Sequence, residues 1–398
     1  MSQLKVNTIR HTGASSDAIT LAADGTAAIG ECTAKITNQP TGTRNLIING
    51  AMRVAQRGTS TTANGYGTVD RFQTGTTGND NALTQEQITL TSSDTGPWEK
   101  GFRKALQLKN GNQTSGTQAG DNAYIAYAIE AQDLVNSGWN YKSASSYITL
   151  SFWIKSSVAG NNWVHLYNFD GTTQGYSFLS GNLSANTWTK VTHSIPGNSN
   201  LTLDNNNSHG FWIQWSAYLG TSYTTSGHTV NQWAAYNSAS RQPDMAADTW
   251  WTTNLATYAL TGVQLEVGDV ATDFEHRSYS DELLRCKRYF NMMADGSLGT
   301  AKMISDAFWW SNNEIDFMYT FPVEMRDAPT VYQVMDTAYV QVQGGGVSPT
   351  LDNDWTFQYN TKKGTSMYCG KTGGGTAGNS AHLTVNNALF RLGFQSEL

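Results

Sequence analysis

Between residues 45 and 275 the chain returns repeatedly to short runs of β-forming residues in which apolar and polar side chains alternate, and each run is cut by Gly, Asn, Asp or Ser. A side-chain period of two fits a strand with one buried face and does not fit a helix. Tyr147 to Lys155 sets Ile148, Leu150, Phe152 and Ile154 on one side and Tyr147, Thr149, Ser151, Trp153 and Lys155 on the other. Trp163 to Phe169 sends Val164 and Leu166 inward, leaving Trp163, His165, Tyr167 and Phe169 outside. In Phe211 to Ala217 the inner set is Phe211, Ile213 and Trp215, and the outer set Trp212, Gln214 and Ser216. Strands of this length, spaced by turn residues, predict an all-β chain built on a jelly-roll or β-sandwich domain.

The ends read differently. Residues 1–44 hold brief alternating pieces, Leu4 to Ile9 and Ala18 to Ala22, separated by Thr-Gly and Asp-Gly turns, with too little apolar material for a core. Such a segment is a flexible leader, or it gains order by adding strands to other chains. From Thr261 to Val267 the strand period persists, and after Ser280 it gives way to helical spacing. Ser280 is placed to cap, Asp281 and Glu282 fill a first turn, and Leu283, Leu284 and Cys286 form a short apolar stripe. Residues 276–290 are therefore a junction helix, and residues 291–398, with Ala307 to Ser311, Ile315 to Phe321 and Ala381 to Phe394, a smaller C-terminal β domain. Gly344–Gly346 and Gly373–Gly375 mark its loops.

Composition narrows the partners. Charged residues are 14% of the chain against the usual ~25%, so long solvated helices are not expected. A net charge of −6 offers no basic excess for nucleic acid or for anionic membrane surfaces. No run approaches the ~18 apolar residues of a membrane span, and the amino terminus lacks the apolar core of a signal peptide. Cys32, Cys286 and Cys369 are an odd set without paired spacing, which predicts free thiols rather than disulfides or a metal knuckle.

Three stretches carry a resemblance. Asn45-Leu-Ile-Ile-Asn-Gly-Ala-Met-Arg-Val-Ala-Gln-Arg-Gly-Thr-Ser60 with Asp70-Arg-Phe72, then Leu150 to Ser157 with Trp188 to Gly197, then Gly262-Val-Gln-Leu-Glu-Val-Gly268 with Ala271-Thr-Asp-Phe-Glu-His-Arg-Ser-Tyr279 and Leu283 to Phe290 resemble tail-fibre and receptor-binding proteins of tailed bacteriophages. The run Phe321 to Val331 resembles a segment of the C-terminal domains that follow the sandwich in phage fibres. The resemblance implies a virion structural protein, made in a host cytoplasm and released by lysis. Attachment to other virion proteins through residues 1–44 and host surface polysaccharide as the outward partner fit the same resemblance, and a homotrimer is expected through residues 1–44 and the junction helix, whose stripe of Leu283, Leu284 and Cys286 one short helix cannot hide unless it packs on its own sandwich. A surface-polysaccharide depolymerase and a head decoration or neck protein are the alternatives.

The outward side chains Trp153, His165, Tyr167, Trp212 and Gln214 are the candidate glycan-binding set, because flat rings suit the apolar faces of sugars and amide or imidazole groups suit hydroxyls. The competing reading is that this face packs against another domain or subunit. Catalysis finds little support. Gly373-Gly-Gly375-Thr-Ala-Gly378 has dinucleotide-loop spacing but no following helix, and neither a nucleophile elbow nor a zinc-protease helix is present. The carboxylate pairs Glu314/Asp316 and Asp244/Asp248 read as turn acids more readily than as a glycosidase dyad. No cofactor is expected. Structural calcium is compatible with a jelly roll, although no spacing assigns its ligands.

Overall fold

A computed structural model describes residues 44–398 except 246–248, 345–348, 352 and 372, and before residue 44 the strands Thr8–Ile9, Ile19–Leu21 and Ala27–Ile29. Those three strands pair antiparallel in sequence order, within a unit that ends at Thr43. Leu4, Ala18, Ala22 and Cys32 lie outside the described residues, as do Asp248, Gly345 and Gly346.

The unit Arg44–Leu398 is all-β apart from short helices. Its first part is a β-sandwich of two six-stranded antiparallel sheets. The front sheet runs in the order Thr189–Pro196, Tyr147–Ser156, Thr257–Val267, Lys104–Lys109, Thr84–Thr89, Ser60–Thr61. The back sheet runs Ala234–Ala235, Gln174–Leu183, Gly160–Asn168, His209–Leu219, Asn122–Glu130, Phe72–Thr77. The alternating positions meet between them. Ile148, Leu150, Phe152 and Ile154 from the front and Val164, Leu166, Phe211, Ile213 and Trp215 from the back share one buried cluster, and Phe152 meets Trp215 edge-on at 5.7 Å between ring centroids.

One irregularity shapes the front sheet. In Thr257–Val267 the core-facing residues are Tyr258 and Leu260, then Val263 and Leu265, so the phase slips by one residue at a bulge between Thr261 and Gln264. Gly262 takes the slip at φ +63°, and a Cβ there would come within 2.7 Å of the Phe102 ring. The loop before Lys104 thus packs its phenyl ring directly on a bare backbone.

The junction helix is Tyr279–Lys287, and Ser278 rather than Ser280 caps it, its hydroxyl accepting from the Asp281 amide at 3.1 Å. Ser278 is extended (φ −62°, ψ 155°), as a cap must be, whereas Ser280 already lies in the first turn. Cys286 is buried beneath the helix and Leu284 is 47% exposed.

Beyond the helix, a three-stranded sheet (Phe290–Asp295, Arg391–Gln395, Thr330–Val334) and a seven-stranded sheet enclose a second core around Trp309, Phe317, Met367, Leu383 and Phe394. This lobe is fastened to the sandwich by polar contacts. Arg71 donates to Glu397 at 2.6 Å and to the Ala128 carbonyl at 2.7 Å, Gln56 donates to the Phe290 carbonyl at 2.7 Å, and the Arg57 guanidinium lies 3.5 Å over the Phe290 ring. Cys286 and Cys369 are buried, and the Cys369 thiol donates to the Asn353 carbonyl at 3.2 Å.

Candidate functional site

The five residues singled out by alternation all point away from the core, but they stand on opposite sides of the sandwich. Trp153 is on the front sheet, while His165, Tyr167, Trp212 and Gln214 are on the back sheet. A single patch containing all five is therefore excluded. Period two tells which face of its own sheet a residue takes, not which sheet the strand joins.

On the back sheet, register pairs His165 with Gln214 and Tyr167 with Trp212. The loop 220–245 folds over the first pair, so His165 and Gln214 are buried. Gln214 is spent within the protein: it accepts from the Trp212 indole at 3.4 Å and donates to Ser216 at 3.3 Å, and Ser216 in turn donates to Gln242 at 3.0 Å. His165 is held neutral, its pKa pushed down to about 3 by burial and then by the nearby Arg241 and His228 charges. Tyr167 and Trp212 remain half-buried. Tyr167 stacks on Tyr236 at 4.5 Å and lies 6.2 Å from Trp212, with Phe169, 41% exposed, 5.1 Å away. What stays accessible on this face is an aromatic ledge without the polar partners expected beside it.

The front sheet carries the cleft. Trp153 sits between Lys190 and Thr261 on the neighbouring strands, and with Ser151 forms the floor of a cavity of about 440 Å³. Two segments build its walls: the loop Glu99, Lys100, Gly101 and Phe102, and the stretch Thr272, Asp273, Phe274 and His276. Phe102, Phe274 and His276 form a triangle of rings, with centroids 4.8, 5.2 and 4.9 Å apart. The His276 Nε2 is 2.9 Å from the Lys100 carbonyl and ties the two walls together.

The second wall is irregular chain that turns tightly at Glu275, the His276 amide donating to the Phe274 carbonyl at 3.1 Å. Phe274 and His276 face the cleft, while Glu275 and Arg277 reach back to the start of the sandwich. Glu275 accepts from the Arg44 amide at 3.0 Å and the Asn45 amide at 2.6 Å, and Arg277 donates to the Asn45 carbonyl at 2.5 Å. The segment read from sequence as a domain junction is thus also a cleft wall, and the alternation of Phe274 and His276 was the signal that could have found it. Phe102 and Gly101 left no comparable trace.

Chemically the cleft offers ring faces for the apolar side of a sugar, and the carboxylates of Glu99 and Asp273, the hydroxyls of Ser151 and Thr272 and the ammonium groups of Lys100 and Lys190 for its hydroxyls. The other candidates are placed as follows. Asp316 is buried on the strand Glu314–Thr320 with Oδ1 unpartnered, and burial, then the neighbouring Glu314, raise its pKa to about 6. Asp244 accepts from Thr224 at 2.7 Å and is a loop tie. Among the described residues no three His, Cys, Asp or Glu side chains are grouped to hold a metal ion, and no helix is long and apolar enough to cross a membrane.

No family model and no curated protein matches this chain. Among solved structures it is similar to the enzymatically active domain of tailspike protein 4 from bacteriophage CBA120, at 12% identity and TM-score 0.29 over 56% of this chain and 21% of that one. It is also similar to the CBM22-1 xylan-binding domain of Paenibacillus barcinonensis Xyn10C (12% identity, TM-score 0.25, 50% of this chain and 87% of that one). The family 11 carbohydrate-binding module of Clostridium thermocellum Lic26A-Cel5E gives 11% identity and TM-score 0.24 over 55% of this chain and 98% of that one. The chain thus spans about a fifth of the length of the tailspike domain. Likenesses of this size assign no ligand, and the sandwich stands on its own strand pairing.

Proposed function

We propose that this chain is a non-enzymatic subunit of a tailed-bacteriophage fibre or appendage that holds host surface glycan in the front-sheet cleft. The observation that carries the glycan reading is the cleft itself, in which the half-buried Trp153 and Phe274 present rings beside Ser151, Asp273 and Lys190, with the buried Phe102 packed behind Phe274. The virion assignment rests on the tail-fibre-like segments Asn45 to Ser60 and Gly262 to Tyr279, the second of which supplies a cleft wall. Each ring contact is worth on the order of 1 kcal/mol, so one cleft binds weakly and a homotrimer would gain by presenting three together. Residues 1–44 are the segment proposed to assemble the trimer and join it to other virion proteins.

The depolymerase reading has one observation in its favour, the raised carboxyl of Asp316, and the cleft adds Glu99 and Asp273. Incubation with host-cell polysaccharide tests both readings. Retention of polymer without new reducing ends supports recognition; release of reducing ends that Asp316→Asn, Glu99→Gln or Asp273→Asn abolishes establishes an enzyme. Gold labelling of intact particles tests the location, and signal on the head shell would replace host recognition with a decoration role.

A further inference from the structure

Beside the Trp153 cleft lies a second, of about 470 Å³, and the two share Gly101, Phe102 and His276. Its lining is unlike the first. Arg53, Arg103 and Lys104 converge on it, and no carboxylate lines it. Among the described residues none of the three is within ion-pair distance of an acid.

Each cation is held by neutral partners. The Arg103 guanidinium lies 3.7 Å over the Trp98 ring and donates to the carbonyls of Trp98 at 2.9 Å and Phe102 at 2.8 Å. Arg53 reaches over Tyr279 at 5.7 Å and donates to the Arg277 carbonyl at 3.0 Å. Lys104 donates to Thr89 at 2.8 Å. These contacts position the groups and leave their charge uncompensated. In a chain with 25 basic against 31 acidic residues, three cations lining one cleft without an ion-pair partner among the described residues are a local reversal of sign.

The geometry points to an acid-binding subsite: the glycan is an acidic polysaccharide, with one sugar ring against Trp153 and Phe274 and the carboxylate or phosphate of an adjoining residue in the Arg53, Arg103 and Lys104 cleft. This rests on the glycan reading above and narrows it to anionic polymers. The shared wall of Phe102 and His276 is what lets one chain lie in both clefts, and the guanidinium of Arg103 suits either oxyanion.

The test is binding of the full-length protein to an immobilised panel of neutral, uronate-bearing and phosphate-bearing oligosaccharides, at low and at physiological salt. The expected result is retention of acidic glycans over neutral ones, weakened by salt. Arg53→Gln and Lys104→Gln should each reduce it about two- to fivefold, the range of an exposed ion pair, and Trp153→Ala should reduce it further. Because Arg103 also packs on Trp98, Arg103→Lys serves in place of a neutral variant, and it should weaken binding without changing the unfolding midpoint. The uronate and phosphate arms identify the acid. Neutral glycans bound as well as acidic ones, lost in Trp153→Ala and unchanged in the Arg and Lys variants, overturn the acidic subsite and leave the glycan reading standing. No retention anywhere on the panel overturns both.

Discussion

The carboxylate of Glu130 receives both sides of the Arg288 guanidinium, Nε on Oε1 at 2.8 Å and Nη2 on Oε2 at 2.9 Å, and so joins the last residue of a sandwich strand to the residue just after the junction helix. Tyr289 adds its hydroxyl to Oε1 at 2.5 Å. Burial works against ionisation of Glu130, yet the Arg288 and Tyr289 hydrogen bonds outweigh it and hold the carboxyl below the usual glutamate range. Glu130→Gln keeps the shape and removes the charge. Since Arg288 is 28% exposed and can turn to water, we expect a loss of about 2 kcal/mol rather than the full cost of a stranded buried charge. Urea unfolding measures it, and an unchanged midpoint would show that the lobes are held by their apolar contacts.

Gly262→Ala tests the bulge that shapes the cleft. At φ +63° any side chain is strained, and the new Cβ must also displace Phe102. Gly138, at φ +90° with nothing within 4 Å, separates the two effects. Gly138→Ala should cost about 1 kcal/mol, Gly262→Ala about 2 to 3. Gly262→Ala alone should also weaken glycan retention, because the buried Phe102 supports the Phe274 and His276 rings of the cleft. Equal costs at the two positions would mean that Phe102 moves aside freely.

The contrast between these two glycines indicates what the sequence could disclose. Local period assigned Ile148, Leu150, Phe152 and Ile154 to the core, and with them the all-β sandwich, because facing is a property of one strand. The sheet to which that strand belongs is set by partners far along the chain, Lys190 and Thr261 for Trp153 and Tyr167 and Ala128 for Trp212, so the two tryptophans looked alike and proved to be on opposite sides. Burial of His165 and Gln214 arises from the loop 220–245 crossing them, which no strand pattern encodes. The same holds for the Phe102 and His276 walls, assembled from loops distant in the chain.

Acid should act through histidine. Burial lowers the pKa of His165 to about 3 and that of His193 to about 4, both below the unfolded value near 6.5. Above pH 6.5 neither state is protonated and stability is complete; as pH falls the unfolded chain takes up protons the native chain refuses, so stability is lost from about pH 6.5 down to 4 and 3. Asp70 opposes this between about pH 6 and 4, since burial raises its carboxyl to about 6 despite Arg57. A single-residue comparison removes that background. His165→Phe keeps a ring in a site where neither imidazole nitrogen has a hydrogen-bond partner. It should gain about 2 kcal/mol on the wild type between pH 7 and pH 5, read as the difference in urea midpoints. A constant difference across that range would mean that His165 titrates normally.

Trp153→Ala and Trp212→Ala decide which face meets the host. Both side chains are half-buried, so both variants lose some packing, and the readout must be retention on host-cell surfaces relative to the fraction folded. Trp153 is the floor of a cavity with polar groups on its walls; it packs in a satellite cluster with Phe102 and Trp188, apart from the main core. Its removal takes away a stacking surface of on the order of 1 kcal/mol, about a fivefold loss for one cleft and more for a multivalent particle. Trp212 lies on a ledge with Tyr167, Tyr124 and Phe169, and its indole N–H is already given to Gln214. With few groups left there to read sugar hydroxyls, Trp212→Ala should lower stability by about 2 kcal/mol and leave retention per folded molecule unchanged. Loss of retention in Trp212→Ala with Trp153→Ala unaffected would move the glycan site to the back sheet and end the case for the front cleft.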